Sequence, residues 1–207
     1  MRRESLAALV LASGVACLLA VVQPAANPPT RPLEFWDHFL IRNAIAAENF
    51  RTLEELVGSA DLVAVAHVVS LTPGREFGDE ADKVHYAAAE LAIDRLLAGV
   101  LPADGVVLEV QLPHGEGAED VEKYAAAMPE TPMLVFLRNK GVEATAAGLP
   151  KDVVEREAPF FRLVRPDAMF LNEDGKAAYA AGGEDSILSR EAGLDFEKLV
   201  LKIDRLE

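Results

Sequence analysis

Between residues 62 and 137 the apolar side chains recur at every second position or in short unbroken runs, a pattern that predicts strands. Leu62-Val63-Ala64-Val65-Ala66-His67-Val68-Val69 is apolar on both faces, as a central barrel strand is. Thr72-Pro73-Gly74 is expected to break it, and a polar loop with Gly78, Asp79, Glu80 and Asp82 follows. A strand over 84–97 is long enough to bend around a barrel, with Leu91 and Ile93 on one face and Glu90, Ala92 and Asp94 on the other. Val106, Leu108, Val110 and Leu112 alternate with Val107, Glu109 and Gln111, which predicts a half-buried strand. Residues 113–131 read as loop with one helical turn around 121–128, 133–138 as a short apolar strand, and 139–158 as irregular. Strand-like runs at 160–165 and 168–171 precede Glu173-Asp174-Gly175, a hairpin turn in which glycine tolerates positive φ, and a return strand over 176–180.

Helical periodicity is confined to the flanks. Trp36, Leu40, Asn43 and Ala47 share one face of a helix over 33–49, with Phe39 and Ile45 near its edges. Trp36 and Phe39 either rest on a membrane surface or, the favoured reading, pack on the protein's own body. Thr52-Leu53-Glu54-Glu55 has the spacing of a capping box and predicts a short helix ending near Ser59. At the far end Asp195 is an N-cap, Leu194 a staple onto Leu199, and Phe196, Leu199, Val200, Ile203 and Leu206 form one apolar stripe. The expected fold is therefore mainly β: an OB-like barrel of about five strands over 51–207, with flanking helices and an amphipathic C-terminal helix. A proline-rich linker and short helix over 27–50 precede it.

Composition adds an address. With 51% hydrophobic residues and one domain's length, the chain can bury a full core. Its net charge of -14 falls wholly on 51–207, where 16 basic residues face 30 acidic ones. Such a surface repels phosphate backbones, so nucleic acid is not an expected partner. Arg2 and Arg3 followed by an uncharged apolar run over 6–22 is the pattern of an export signal over 1–26. A cleaved signal is favoured, with a retained N-terminal anchor as the close alternative; both place 27–207 outside the cytoplasmic membrane, in the cell envelope or beyond. Ser13-Gly14-Val15-Ala16-Cys17 is a weak lipoprotein processing pattern, with Gly14 where a leucine is usual. Cys17 is the one cysteine, so removal of 1–26 leaves a chain without disulfides, thiol chemistry or cysteine-bound zinc.

Four segments occur in an order that suggests a family: Leu53-Glu54-Glu55-Leu56, Ser59-Ala60-Asp61-Leu62-Val63, Ile93-Asp94-Arg95-Leu96-Leu97-Ala98-Gly99 and Leu134-Val135-Phe136-Leu137. They resemble secreted bacterial domains of unknown function, whose fold is similar to the five-stranded OB-like barrel of the tissue inhibitors of metalloproteinases. The resemblance spans 52–138 and rests on core and turn residues; Ala98 departs from it, standing where a lysine is usual. The animal inhibitors act through a disulfide-bonded N-terminal cysteine. No such cysteine exists here, so the resemblance implies a fold and not an inhibitory activity.

No catalytic, cofactor-binding or metal motif is legible. His38, His67, His85 and His114 lack the spacing of a zinc pair, although His67 and His85 fall on strands that could be neighbours. Ser59, Ser70, Ser186 and Ser189 stand outside any Gly-x-Ser-x-Gly frame. The acidic groups Asp79/Glu80, Glu116/Glu119/Asp120 and Glu173/Asp174 would serve glycosidase-type catalysis only if two were held across a cleft, which spacing does not show. Asn172-Glu173-Asp174-Gly175 lacks calcium-loop spacing and reads as a hairpin tip, and Gly182-Gly183 is no phosphate loop. The leading expectation is a non-enzymatic exported module that binds a protein or envelope ligand through a barrel face or the loops at 72–83 and 113–131. It would touch a membrane only through its N-terminal segment. The rivals are a hydrolase or metal-dependent enzyme using His67, His85 or His114 with nearby carboxylates, and a protease inhibitor by fold analogy alone.

Overall fold

A computed structural model describes residues 32–39, 50–79, 82–166, 168–179 and 187–206. The expected export segment with Cys17, the second half of the 33–49 helix, and Gly182, Gly183 and Ser186 lie outside them. Within the described residues seven strands form one sheet: β1 (Leu62–Phe77), β2 (Val84–Gly99), β3 (Val106–Gln111), β4 (Met133–Asn139), β5 (Phe160–Leu163), β6 (Met169–Glu173) and β7 (Lys176–Tyr179). Their order is β1-β2-β3-β5-β4-β6-β7, and a further β1–β4 pairing closes the first five into a barrel. All pairs are antiparallel except β3–β5. The expected five-stranded barrel with flanking helices is present.

Closure depends on residues 62–66 of β1. They pair with β4 on one side (Leu62 with Leu137, Ala66 with Met133) and with β2 on the other (Leu62 with Gly99). Unbroken apolarity is what this position demands, and 62–66 are buried on both faces. Beyond Ala66 only β2 remains as a partner, so the two strands continue as a long arm. Here the structure corrects the expected break at Thr72-Pro73-Gly74. The strand passes through them to Phe77 with irregular register between Pro73 and Glu76. Proline is tolerated because that part of β1 borders no second strand that would require its N–H. At Gly74 a Cβ would sit 2.8 Å from the carbonyl oxygen of Tyr86, so glycine permits the strands' approach.

Among the described residues seven helices surround the sheet: α1 (Pro32–Phe39), α2 (Leu53–Gly58), α3 (Ala118–Ala126), α4 (Lys140–Ala146), α5 (Lys151–Glu157), α6 (Ile187–Glu191) and α7 (Phe196–Ile203). The Thr52 cap is formed, its hydroxyl accepting from Glu55 N at 3.2 Å, while the Glu55 carboxylate accepts from Arg51 N. Asp195 caps α7 through Lys198 N, and Phe196, Leu199, Val200 and Ile203 are buried, as their stripe predicts. Phe35, Trp36 and Phe39 of α1 join the same core as the barrel, so these aromatics do pack on the protein's own body. The hairpin turn is where the sequence places it, with Asp174 at φ 52° and Gly175 at φ 79°.

Two segments differ from expectation. The 113–131 stretch holds the full helix α3, and 139–158 is a helical hairpin, α4–α5. Both helices of that hairpin have seven residues, and α5 buries none of them, so no apolar stripe marks them. They are fixed locally instead. The Asn139 side chain accepts from Val142 N and donates to the carbonyl of Ala158, and Gly141 lies against Ala158 with no room for a Cβ.

Gly99 ends β2 at φ 88°, and a Cβ there would lie 2.1 Å from the carbonyl oxygen of Asp61. Gly105 has φ 85° but open space around it. In urea unfolding, Gly99→Ala is expected to cost on the order of 3 kcal/mol or more, against roughly 1 kcal/mol for Gly105→Ala, which carries backbone strain alone. Equal costs would show that the Asp61–Gly99 approach does not constrain the barrel.

Candidate binding clefts

The outer face of the β1–β2 arm and β3 carries a charge network that begins with one buried acid. Alternation along β3 points Glu109 away from the barrel interior, where a strand residue normally meets water. Its side chain is nevertheless fully buried. Arg75, far out on β1, grips it with two hydrogen bonds, Nε to Oε1 at 2.6 Å and Nη2 to Oε2. Lys140, the first residue of α4, donates to the same carboxylate. The second edge of the Arg75 guanidinium takes Glu157 at the end of α5, at 2.8 and 2.9 Å. Its planar group lies over the rings of Phe160, at 4.0 Å, and Phe77, at 5.0 Å. Every donor edge of the arginine is thereby used, and two cations balance two anions.

The electrostatics follow from those contacts. Burial by itself pushes the Glu109 carboxyl upward, but the hydrogen bonds from Arg75 and Lys140 reverse this and hold it below the ordinary range. The hydrogen bond from Arg75 lowers Glu157 likewise, and the bond to Glu109 raises Arg75. Burial, then the Glu109 charge, raise the phenol of Tyr86, whose ring lies 5.2 Å from the Lys140 ammonium. A second chain of ions, Arg138–Glu143–Arg162, braces α4 against β4 and β5.

Between this network and the α4–α5 hairpin opens a cleft of about 470 Å³. Its apolar walls include Phe77, Tyr86, Leu149 and Val153, with Lys140, Glu143 and Glu157 as its charged members. Phe77 and Leu149 are 42% and 47% exposed, high for side chains of their size. The cleft borders β1, β2 and the β4–β5 connection, the part of an OB-type barrel that commonly receives ligands.

A larger concavity, about 700 Å³, lies further back on the outer face of β1 and β2. Here His67 Nδ1 stands 3.1 Å from both carboxylate oxygens of Asp94. This pair can orient an imidazole, as a general base requires. Both side chains are over a third exposed, and the nearest candidate hydroxyl in sequence, Ser70, donates to Glu90.

The third cluster is a clasp. Tyr124 of α3 donates to the Glu116 carboxylate, and its oxygen contacts Nε2 of His38 on α1. Burial and the Glu116 hydrogen bond raise the Tyr124 phenol, which stays neutral at ordinary pH. Rings of Phe35 and Phe39 pack on it at 6.4 and 4.8 Å, so the cluster pins α1 to α3.

His67 and His85 do stand on neighbouring strands, but they do not meet. His67 lies opposite Ala92 and His85 opposite Glu76, which separates them by seven residues along β2, roughly 23 Å. His85 contacts Glu76 at 3.1 Å, and His114 is exposed. Among the described residues no group of three His, Cys, Asp or Glu side chains is placed to hold a metal ion. None of these helices is long and apolar enough to cross a membrane. Arg75, Tyr86, Lys140 and Glu157 were not legible as a group, because their separations in sequence have no period. The sole trace was Glu109, an acid inside an apolar run.

The depressed acids set a pH dependence. Their contribution to stability is present above the ordinary carboxylate range and is lost as pH falls through their lowered folded values. Thermal stability should therefore hold from about pH 5 upward and decline below about pH 4. Glu109→Gln, which strands Arg75 and Lys140, should cost about 3–5 kcal/mol at pH 7 and flatten that decline. Glu157→Gln, at a partly exposed pair, should cost less; equal losses would contradict the central place of Glu109. Comparison with protein families, curated proteins and solved structures finds no match for this chain.

Proposed function

We propose that this chain is an exported, non-enzymatic binding module that takes a protein partner on the arm and hairpin face of its barrel. The observation that carries the reading is the cleft beside Phe77, Tyr86 and Leu149. Its apolar walls are exposed while the charges beneath them are paired with one another. A surface built so offers hydrophobic contact without the cost of stripping water from unpaired ions. Preorganisation of the guanidinium between two rings keeps Phe77 in place, which lowers the entropy lost on association.

The exported location rests on Arg2, Arg3 and the apolar run over 6–22, and the strong acidity of 51–207 agrees with a partner other than nucleic acid. Kinship with the secreted bacterial domains of the inhibitor-like barrel is part of the same proposal, supported by the 52–138 segments and by the β1-β2-β3-β5-β4 order. The enzymatic alternative has one observation in its favour, the His67–Asp94 pair beside a large concavity.

Affinity capture from an envelope extract, with the folded protein as bait, tests the proposal. Wild-type protein is expected to retain a partner that the double variant Phe77→Asp/Leu149→Asp releases, with far-ultraviolet circular dichroism unchanged. Identical captures by both proteins, or none by either, would remove the cleft as a binding face. Hydrolysis of ester or peptide substrates that disappears in His67→Ala would instead establish the enzyme.

A further inference from the structure

The larger concavity differs from the cleft above in how its charges are met. Its apolar surface comes from Val69 on β1 and from Met128 and Pro132 on the α3–β4 connection, with the buried ring of Phe196 at the start of α7 beneath them. Around that surface stand three carboxylates, Asp94, Glu130 and Glu197, and no lysine or arginine lines it. Among the described residues neither Glu130 nor Glu197 has a hydrogen-bond or ion-pair partner, whereas Glu109, Glu157, Glu143 and Glu191 are all held by cations. Asp94 is oriented by His67 at 3.1 Å and so presents a fixed anion. Val69 is 48% exposed and leaves an aliphatic contact open beside them.

We propose that this groove binds a protein segment that sets lysine or arginine side chains next to an aliphatic one. The carboxylates would take the cations, and Val69, Met128 and Pro132 would take the aliphatic group. Complementarity of charge selects this occupant. A second copy of the chain carries the same excess of negative charge and would be repelled, as would an anionic headgroup. The two binding places are independent. Asp94 is eight residues from Tyr86 along β2, up to roughly 26 Å, so either can fail without the other.

The test uses three capped peptides and the folded chain: Lys-Leu-Lys-Leu-Lys, Lys-Gly-Lys-Gly-Lys and Glu-Leu-Glu-Leu-Glu. Two-dimensional nuclear magnetic resonance should show the first peptide shifting backbone signals of Val69, Asp94, Glu130 and Glu197. The glycine peptide should bind about tenfold more weakly, and the acidic one not at all. The triple variant Asp94→Asn/Glu130→Gln/Glu197→Gln should weaken binding about tenfold or more. The control Glu122→Gln/Glu155→Gln, which removes exposed acids elsewhere, should leave it unchanged. Equal binding of both cationic peptides, equal loss in the control, shifts mapped outside the groove, or no binding of any peptide would each overturn the proposal. All sites changed are exposed, and the variants' own spectra verify folding.

Discussion

The double pairing of residues 62–66 is the constraint on which the rest of the structure depends. Five consecutive residues of β1 bond to β2 on one side and β4 on the other, which joins the two ends of a five-stranded sheet. A closed sheet has no free edge to satisfy, and its interior is filled by side chains. Once β1 leaves β4 it can continue only with β2, so closure at one end produces an arm at the other. Arg75, Phe77 and Tyr86 stand on that arm because they lie beyond the reach of β4. The parallel β3–β5 contact then sets Phe160 next to Glu109's strand, within stacking distance of the arginine.

Among the described residues Glu109 and Glu191 are the buried carboxylates, and Glu109 is the more enclosed. An ion in such a place is costly unless it is met on all sides, and here it is met by Arg75 and Lys140. The network also does what the apolar core does not: it attaches the α4–α5 hairpin, whose second helix buries no residue, to the barrel. Aromatic packing does the corresponding task for α1, through Phe35, Trp36, Phe39 and the Tyr124 clasp. Two different interactions thus dock two flanking elements on the same barrel.

The two concavities show contrasting uses of charge. Beside Phe77 the ions are internally neutralised, and the exposed walls are apolar. Beside Val69 the acids Glu130 and Glu197 have no partner among the described residues, and the apolar surface lies among them. The first suits contact by shape and burial, the second contact that also depends on charge.

By itself the sequence determined the barrel strands, the caps at Thr52 and Asp195, and the Asp174-Gly175 turn. Each is a local matter, set by alternation, by one side chain reaching three residues, or by a glycine's freedom at positive φ. Pro73 misled in the same terms, because whether a missing N–H matters depends on which neighbour the strand has there. Tertiary structure alone decided the α4–α5 hairpin, whose anchors are Gly141 against Ala158 and Glu157 on Arg75. It also separated His67 from His85 and gathered Arg75, Glu109, Lys140 and Glu157. Contacts across 31 to 82 residues follow from strand register and leave no periodic mark on the chain.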